Sequence, residues 1–129
     1  MIILNLTQHA ATPEQVAAGV VDLVGSDRDF LIKTLTFDDM PSRDEINEAA
    51  SMLASFANGW FHANELPIGE DTVMIGGAPW FMSSLETALK ERGINVLYAF
   101  SKRESVEEMQ EDGSVKKSMI FKHLGFLEA

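Results

Sequence analysis

The sequence contains no cysteine and no long apolar run. Without cysteine the chain cannot form a disulfide, a thiolate zinc site or a cysteine nucleophile, which fits a reducing compartment. No apolar stretch approaches the roughly 20 residues that span a bilayer. The first residues, 1–6, also lack the positive charge and the longer apolar run of a signal peptide. The sequence therefore predicts a cytoplasmic protein.

Positive charge is scarce in the first two thirds of the chain. The formal net charge is −10, and residues 1–89 hold 3 Lys/Arg against 13 Asp/Glu, whereas residues 90–129 hold 7 of each. Such an acidic chain is a poor general binder of duplex nucleic acid, because neutralising phosphates requires a basic surface. The late basic cluster is either a solvated hairpin face or part of a ligand site. It comprises Lys102, Arg103, Lys116, Lys117 and Lys122.

What the chain does contain is enough apolar material for a folded core. Of its 129 residues 46% are hydrophobic, including 8 Phe, and a chain of this size can bury a core without cross-links. We therefore expect a single domain spanning residues 1–129. Short apolar or β-branched runs predict strands, at residues 2–6, 30–37, 72–75 and 94–100.

Helix-start signals lie between these predicted strands. Thr12-Pro13-Glu14-Gln15 and Ser42-Arg43-Asp44-Glu45 both have the capping-box pattern, in which a hydroxyl and a later Glu or Gln satisfy the first backbone N–H groups. A third helix is predicted after Pro79, ending at Gly93. Residues 20–24 are compatible with either a helix end or a short strand.

The alternation of strands and helices predicts an α/β fold with a mostly parallel, Rossmann-like sheet flanked by helices. The end of the chain differs, because Asp112-Gly113 is a strong hairpin signal between residues 101–109 and 115–126. We therefore expect a C-terminal antiparallel β-hairpin.

Ligands of open α/β sheets bind beyond the carboxyl ends of the strands. Three segments should converge there, namely residues 5–9, 76–81 and 101–105. The candidate ligand-binding residues are Thr7, Gln8, Gly76, Gly77, Ala78, Trp80, Ser101 and Ser105, and the candidate catalytic residues are His9, Lys102 and Arg103.

Each of these segments has a functional and a structural interpretation. Glycines and a helix start suit an anion, but a tight turn without a ligand would also use them. His9 is either a general acid or base or a structural histidine, and Trp80 either stacks on a base or packs internally. Lys102 and Arg103 suit phosphate oxygens, although strand alternation should send them to opposite faces. The three histidines lack metal-ligand spacing, so we expect no metal site.

The same three segments resemble a known family. Thr7-Gln8-His9 with Thr12–Gln15, the loop Gly76-Gly77-Ala78, and the hairpin 101–108 with 121–126 are similar to the CRISPR-associated Rossmann-fold (CARF) proteins, in particular a single-domain ring-nuclease branch. The resemblance implies a homodimer that recognises a cyclic oligoadenylate second messenger. It also implies metal-independent cleavage, by 2′-hydroxyl attack on the adjacent phosphate, without a cofactor.

Two other functions stay open at this point. One is a non-enzymatic Rossmann-like module, such as a mobile-element protein, that binds another phosphorylated small molecule. The other is a purely structural or interaction protein. Neither predicts contact with duplex nucleic acid or a membrane.

Overall fold

A computed structural model describes residues 1–66 and 69–129 of the chain. The elements follow one another as β1 (Ile3–Asn5), α1 (Pro13–Ala17), β2 (Val20–Asp22), α2 (Gly25–Leu35), α3 (Arg43–Ala63), β3 (Thr72–Ile75), α4 (Pro79–Glu91), β4 (Asn95–Met109) and β5 (Val115–Glu128). None of the described helices is long and apolar enough to cross a membrane.

The five strands form one mixed sheet in the order β2-β1-β3-β4-β5. The first three pairings are parallel, and β5 runs antiparallel to β4. The predictions of an α/β fold, a mostly parallel sheet and a C-terminal hairpin are confirmed.

The core lies mainly on one face of the sheet. Because strand side chains alternate, Leu4, Val73 and Val96 pack with apolar residues of α2, α3 and α4. On the opposite face, Ile3 and Met74 belong to a smaller cluster, against which Leu97 and Phe126 pack. The larger cluster fixes the strands that carry the site.

Both predicted capping boxes are present. The Thr12 hydroxyl accepts a hydrogen bond from the Gln15 backbone N–H, and the Gln15 side chain accepts one from the Thr12 N–H. Ser42 and Glu45 form the same reciprocal pair at the start of α3. Satisfying these N–H groups stabilises each helix start by about 1 kcal/mol.

The prediction of a strand at residues 30–37 is wrong, because most of this segment belongs to helix α2. The undecided stretch at residues 20–24 contains the strand, β2. Two threonines that favoured a strand are accommodated by hydrogen bonds within the helix. The hydroxyls of Thr34 and Thr36 donate to the carbonyls four residues earlier, each at 2.7 Å.

Strands β4 and β5 continue beyond the rest of the sheet. The last residue of β3, Ile75, pairs with Tyr98, whereas β4 extends to Met109 and is paired with β5 from Leu97 to that end. A register irregularity lies between Phe100 and Ser101. Past this point the hairpin is a two-stranded ribbon, which we call the arm (residues 101–123).

Candidate functional site

A cleft of about 720 Å³ opens at the carboxyl ends of β1 and β3. The chain leaves β1 toward β2 on one side and later returns to β3 on the other side of β1. Loops after these two strands therefore diverge and leave a crevice, which is where ligands bind in open α/β sheets. The cleft is lined by Thr7, Gln8, His9, Ala10, Thr12, Gln15, Leu35, Thr36, Phe37, Met74, Ile75, Gly76, Gly77, Ala78, Trp80, Phe81, Met82, Tyr98 and Ala99.

Two of the three predicted segments meet in this cleft. Seven predicted residues line it, namely Thr7, Gln8, His9, Gly76, Gly77, Ala78 and Trp80. The third segment does not line it: Ser101, Lys102, Arg103 and Ser105 lie farther along β4, on the arm. At a rise of about 3.3 Å per residue, Arg103 is roughly 13 Å along the strand from Ala99, which does line the cleft.

A buried asparagine organises the loop that carries His9. Asn5 is 1% exposed, and its amide group donates to the His9 carbonyl at 2.8 Å and to Asp22 Oδ1 at 2.7 Å. Its oxygen accepts from the backbone N–H and the hydroxyl of Thr7 at 2.9 and 2.7 Å. Asp22 in turn accepts from the Ala11 N–H. The loop is therefore held at both ends of its turn by one buried side chain.

The opposite wall of the cleft presents backbone N–H groups. Gly77 has φ +151°, in the region that L side chains rarely adopt, and the N-cap residue Ala78 makes no side-chain capping bond. In the described residues, the N–H groups of Gly77, Ala78 and Trp80 donate to no protein oxygen. Unpaired N–H groups at a helix N-terminus favour an anion.

Aromatic surface lies beside these N–H groups. The Trp80 side chain is 45% exposed, and its ring meets Phe37 edge-on at 5.2 Å between centroids. Phe37 also contacts the buried Phe81 at 5.5 Å. Trp80 is thereby supported from one side and open on another, as a ring that stacks on a planar ligand would be.

The candidate catalytic histidine lies at the solvent-facing edge of the cleft. His9 is exposed, and its ring makes no hydrogen bond within the described part of the chain. Its imidazole is therefore available to a ligand while its backbone is fixed by Asn5 and Thr7. Among residues 1–66 and 69–129, no three His, Asp or Glu side chains gather as a potential metal site.

Arg28 lies next to the His9 loop, although its sequence context did not indicate it as a site residue. This half-buried side chain on α2 donates to the Gln8 carbonyl at 3.4 Å and so places a cation behind the His9 loop. The segment that follows it was interpreted as a strand, so its approach to the loop could not be anticipated. The arginine in the sequence Gly25-Ser26-Asp27-Arg28 would have been a candidate had these residues been recognised as a helix start.

Tyr98 was also missed, and it forms part of the cleft wall. Its hydroxyl donates to Glu86 Oε2 at 2.9 Å. Partial burial, followed by this hydrogen bond, raises the pKa of Tyr98 to about 12. The pKa of Glu86 is lowered by hydrogen bonds from Lys90 and then from Tyr98.

We predict that Tyr98 loses its proton at an unusually high pH in the folded protein. The chain has one tyrosine, so tyrosinate absorbance should rise near pH 12 in the folded protein and near about 10 in the unfolded protein. Because the folded form holds the proton more tightly, the free energy of unfolding should fall as pH rises from about 10 toward 12. Tyr98→Phe should remove that part of the pH dependence in urea titrations, whereas an unchanged slope would contradict the assignment.

Comparison with known proteins identifies a family for the chain but no activity. The model of the family described as "Uncharacterized protein MJ1673 family" matches residues 1–127. No curated protein and no solved structure matches the chain.

Proposed function

The chain belongs to the uncharacterized MJ1673 family, and we propose that its cleft binds a phosphorylated nucleotide. One observation carries this proposal: unpaired N–H groups at the start of α4 lie next to an exposed indole, at the carboxyl ends of β1 and β3. The N–H groups suit phosphate oxygens and the indole suits a planar base. The fold is taken as Rossmann-like in this proposal, with the ligand where the strand order reverses.

The lining of the cleft limits how the phosphate is held. No Lys, Arg, Asp or Glu is among its lining residues in the described part of the chain. Neutral N–H donors and a helix start would therefore bind the first phosphate, with Arg28 behind the His9 loop. A ligand with only one phosphate makes no use of the arm.

A ligand with several phosphates would use both regions. A cyclic oligoadenylate, the class that the CARF resemblance implies, is large enough to place one adenine on Trp80 and a later phosphate beside Lys102 or Arg103. Its cleavage would form a bond from the ribose 2′-oxygen to phosphorus and break the bond to the 5′-oxygen. The proton of the attacking 2′-hydroxyl would pass to water, and His9 would donate the proton that the departing 5′-oxygen needs. The N–H groups of Gly77 and Ala78 would stabilise the charge on the phosphate that is cleaved, while an arm cation holds a later phosphate of the ring.

The second candidate is a binding module for a smaller phosphorylated molecule, without cleavage. The neutral lining and the distance of the arm cations favour it. The two candidates differ in one measurable respect, because only the cyclic oligonucleotide needs Lys102 and Arg103.

We predict the following titration result for the cyclic oligonucleotide. Arg103→Ala should weaken binding of cyclic tetra- or hexa-adenylate about tenfold or more, since hydrogen bonds to charged groups contribute roughly 1.5–3 kcal/mol. Adenosine monophosphate should bind the parent protein and Arg103→Ala with equal affinity. Trp80→Ala should weaken the binding of both ligands. Isothermal titration calorimetry gives the affinities, and chromatography of the incubated ring reports cleavage.

The control is Lys33→Ala, which removes an exposed cation on α2 outside the cleft. Binding of adenosine monophosphate alone, unaffected by Arg103→Ala, would support the second candidate. Failure of every phosphorylated ligand to bind at micromolar protein would refute both and leave an interaction protein.

A further inference from the structure

The outer strand of the arm, β5, has a row of backbone groups without partners. β5 is the last strand of the sheet. The Gln110 N–H donates to the Ser114 carbonyl at 2.7 Å, which makes these two residues a hydrogen-bonded pair. Because hydrogen-bonded and non-hydrogen-bonded pairs alternate along an antiparallel ladder, Lys117, Met119 and Phe121 are in pairs of the second kind. Their N–H and C=O groups therefore point outward, and none of these groups has a backbone partner in the described chain.

The side chains of this strand are apolar and basic. Residues 115–127 contain three lysines, no Asp or Glu and no proline. Six large apolar side chains of this stretch are exposed, namely those of Val115, Met119, Ile120, Phe121, Leu124 and Leu127. A long, exposed and apolar edge strand is a template for pairing with another strand, and a two-stranded ribbon alone is at best marginally stable in water.

The two faces of β5 offer different surroundings to an added strand. Because strand side chains alternate, one face carries Val115, Lys117, Met119 and Phe121, and the other carries Lys116, Ser118, Ile120 and Lys122. The first face is mainly apolar, with Phe121 70% exposed, and the second has two lysines. A strand with apolar side chains on one face and acidic side chains on the other would match both.

The acidic residues of the arm lie mainly on β4, one strand farther from this edge. Those that pair with β5 are Glu104, Glu107 and Glu108. In the described residues only Glu107 comes within ion-pair distance of a β5 lysine, at 4.0 Å from Lys117. Lys122 is directly opposite Lys102, and like charges in this position repel. Neighbouring strands are about 4.8 Å apart, so a strand added to β5 meets the lysines before it meets these carboxylates.

From these features we propose that β5 binds an extended segment of another protein, which pairs with it as an additional strand and carries alternating acidic and apolar side chains. Backbone hydrogen bonds to Lys117, Met119 and Phe121 supply the affinity, and the side chains at alternate positions supply the selectivity. The same edge of a second copy is a poor match, because it would set three lysines against three. This surface is separate from the cleft, since no residue of β5 is among the cleft's described lining residues.

The probe is a labelled synthetic peptide of alternating glutamate and valine, and fluorescence anisotropy with the full chain measures its affinity. It should bind saturably, whereas a peptide of alternating lysine and valine should not. Two further peptides carry N-methyl groups either on the valines or on the glutamates, and each thereby lacks the N–H groups along one edge. The peptide whose blocked edge faces β5 should bind about tenfold more weakly or worse, because hydrogen bonds to the strand are lost.

Variants of the protein test the same edge from the other side. Met119→Pro removes an outward N–H group and leaves the bonds between β4 and β5 in place, as proline on an edge strand does. It should weaken binding of the glutamate peptide about tenfold or more, whereas Met119→Ala, which keeps the N–H group, should have a smaller effect. Lys122→Glu should weaken binding about three- to tenfold, and Lys33→Glu, on an exposed part of α2, should leave it unchanged.

Circular dichroism shows whether each variant is folded, and the N-methylated peptides decide the matter even if Met119→Pro is not. Three results would each overturn the proposal. They are the absence of saturable binding of the glutamate peptide, equal binding of the lysine peptide, and undiminished binding of both N-methylated peptides. Titration with adenosine monophosphate is a separate measurement, so the proposed function of the cleft does not depend on these results.

Discussion

Asn5→Asp should lower the free energy of unfolding by about 3–5 kcal/mol at neutral pH, the largest effect we expect from one substitution. The Asn5 side chain is 1% exposed, and its amide nitrogen is 2.7 Å from an oxygen of Asp22. An aspartate at this position brings two carboxylates together out of water. It also leaves the Asp22 oxygen and the His9 carbonyl without the donor they share.

Acid should reverse much of this loss. Repulsion raises the pKa of one carboxyl of the pair in the folded state, so a proton binds the folded variant more tightly than the unfolded one. The stability deficit is therefore full above the raised pKa and shrinks as pH falls toward the unfolded value of about 4. Urea unfolding of the variant and the parent protein at a series of pH values measures the deficit.

Asn5→Ala and Asn47→Asp separate the causes. Asn5→Ala removes the donor without adding charge, so its deficit should be smaller, about 2–3 kcal/mol, and less dependent on pH. Asn47→Asp makes the same chemical change on an exposed part of α3 and should have an effect within about 0.5 kcal/mol. A deficit in Asn5→Asp that does not shrink in acid would show that repulsion by Asp22 is not its source.

Local signals in the sequence were enough for the ends of several elements. Thr12 with Gln15, Ser42 with Glu45, and the Asp112-Gly113 turn were found where they were predicted. In each case the hydrogen-bonding groups involved lie within a few residues of one another. Their effect is therefore determined before the chain folds around them.

The error at residues 30–37 shows what local signals omit. Its β-branched and aromatic residues favour a strand, but β2 already supplies the strand after α1. Burying Leu31 against α3 and bonding Thr34 and Thr36 back to the helix then stabilises the alternative. Tertiary packing overrides a propensity worth only tenths of a kcal/mol per residue.

The site was predictable as far as the sheet determines it. Strand ends at residues 6 and 76 must lie at one rim, because β1 and β3 are adjacent and parallel. The position of Arg103 depends instead on where β3 stops, at Ile75, and on how far β4 continues with β5 alone. No local sequence signal marks the end of β3 or the length of β4. Lys102 and Arg103 were therefore expected in the cleft, which they do not line.

Two adjacent glycines in the loop after β3, Gly76 and Gly77, should respond very differently to substitution by alanine. Gly77→Ala should destabilise the fold by about 1–3 kcal/mol, because φ +151° is costly for a residue with a Cβ. Relief of that strain would turn the Gly77 and Ala78 N–H groups away from the cleft. Binding of adenosine monophosphate should then fall about tenfold or more, as expected when charge-assisted hydrogen bonds are lost.

Gly76→Ala is the matched control, because Gly76 has no positive φ and a Cβ there would meet Thr7 Cγ2 at an ordinary 3.6 Å. Its stability should change by no more than about 0.5 kcal/mol. Calorimetric titration and thermal unfolding of both variants test the pair. If the two variants were equally stable, the backbone of Gly77 would not be restricted to a conformation that excludes a Cβ. The argument that this backbone holds the loop N–H groups in a fixed direction would then fail.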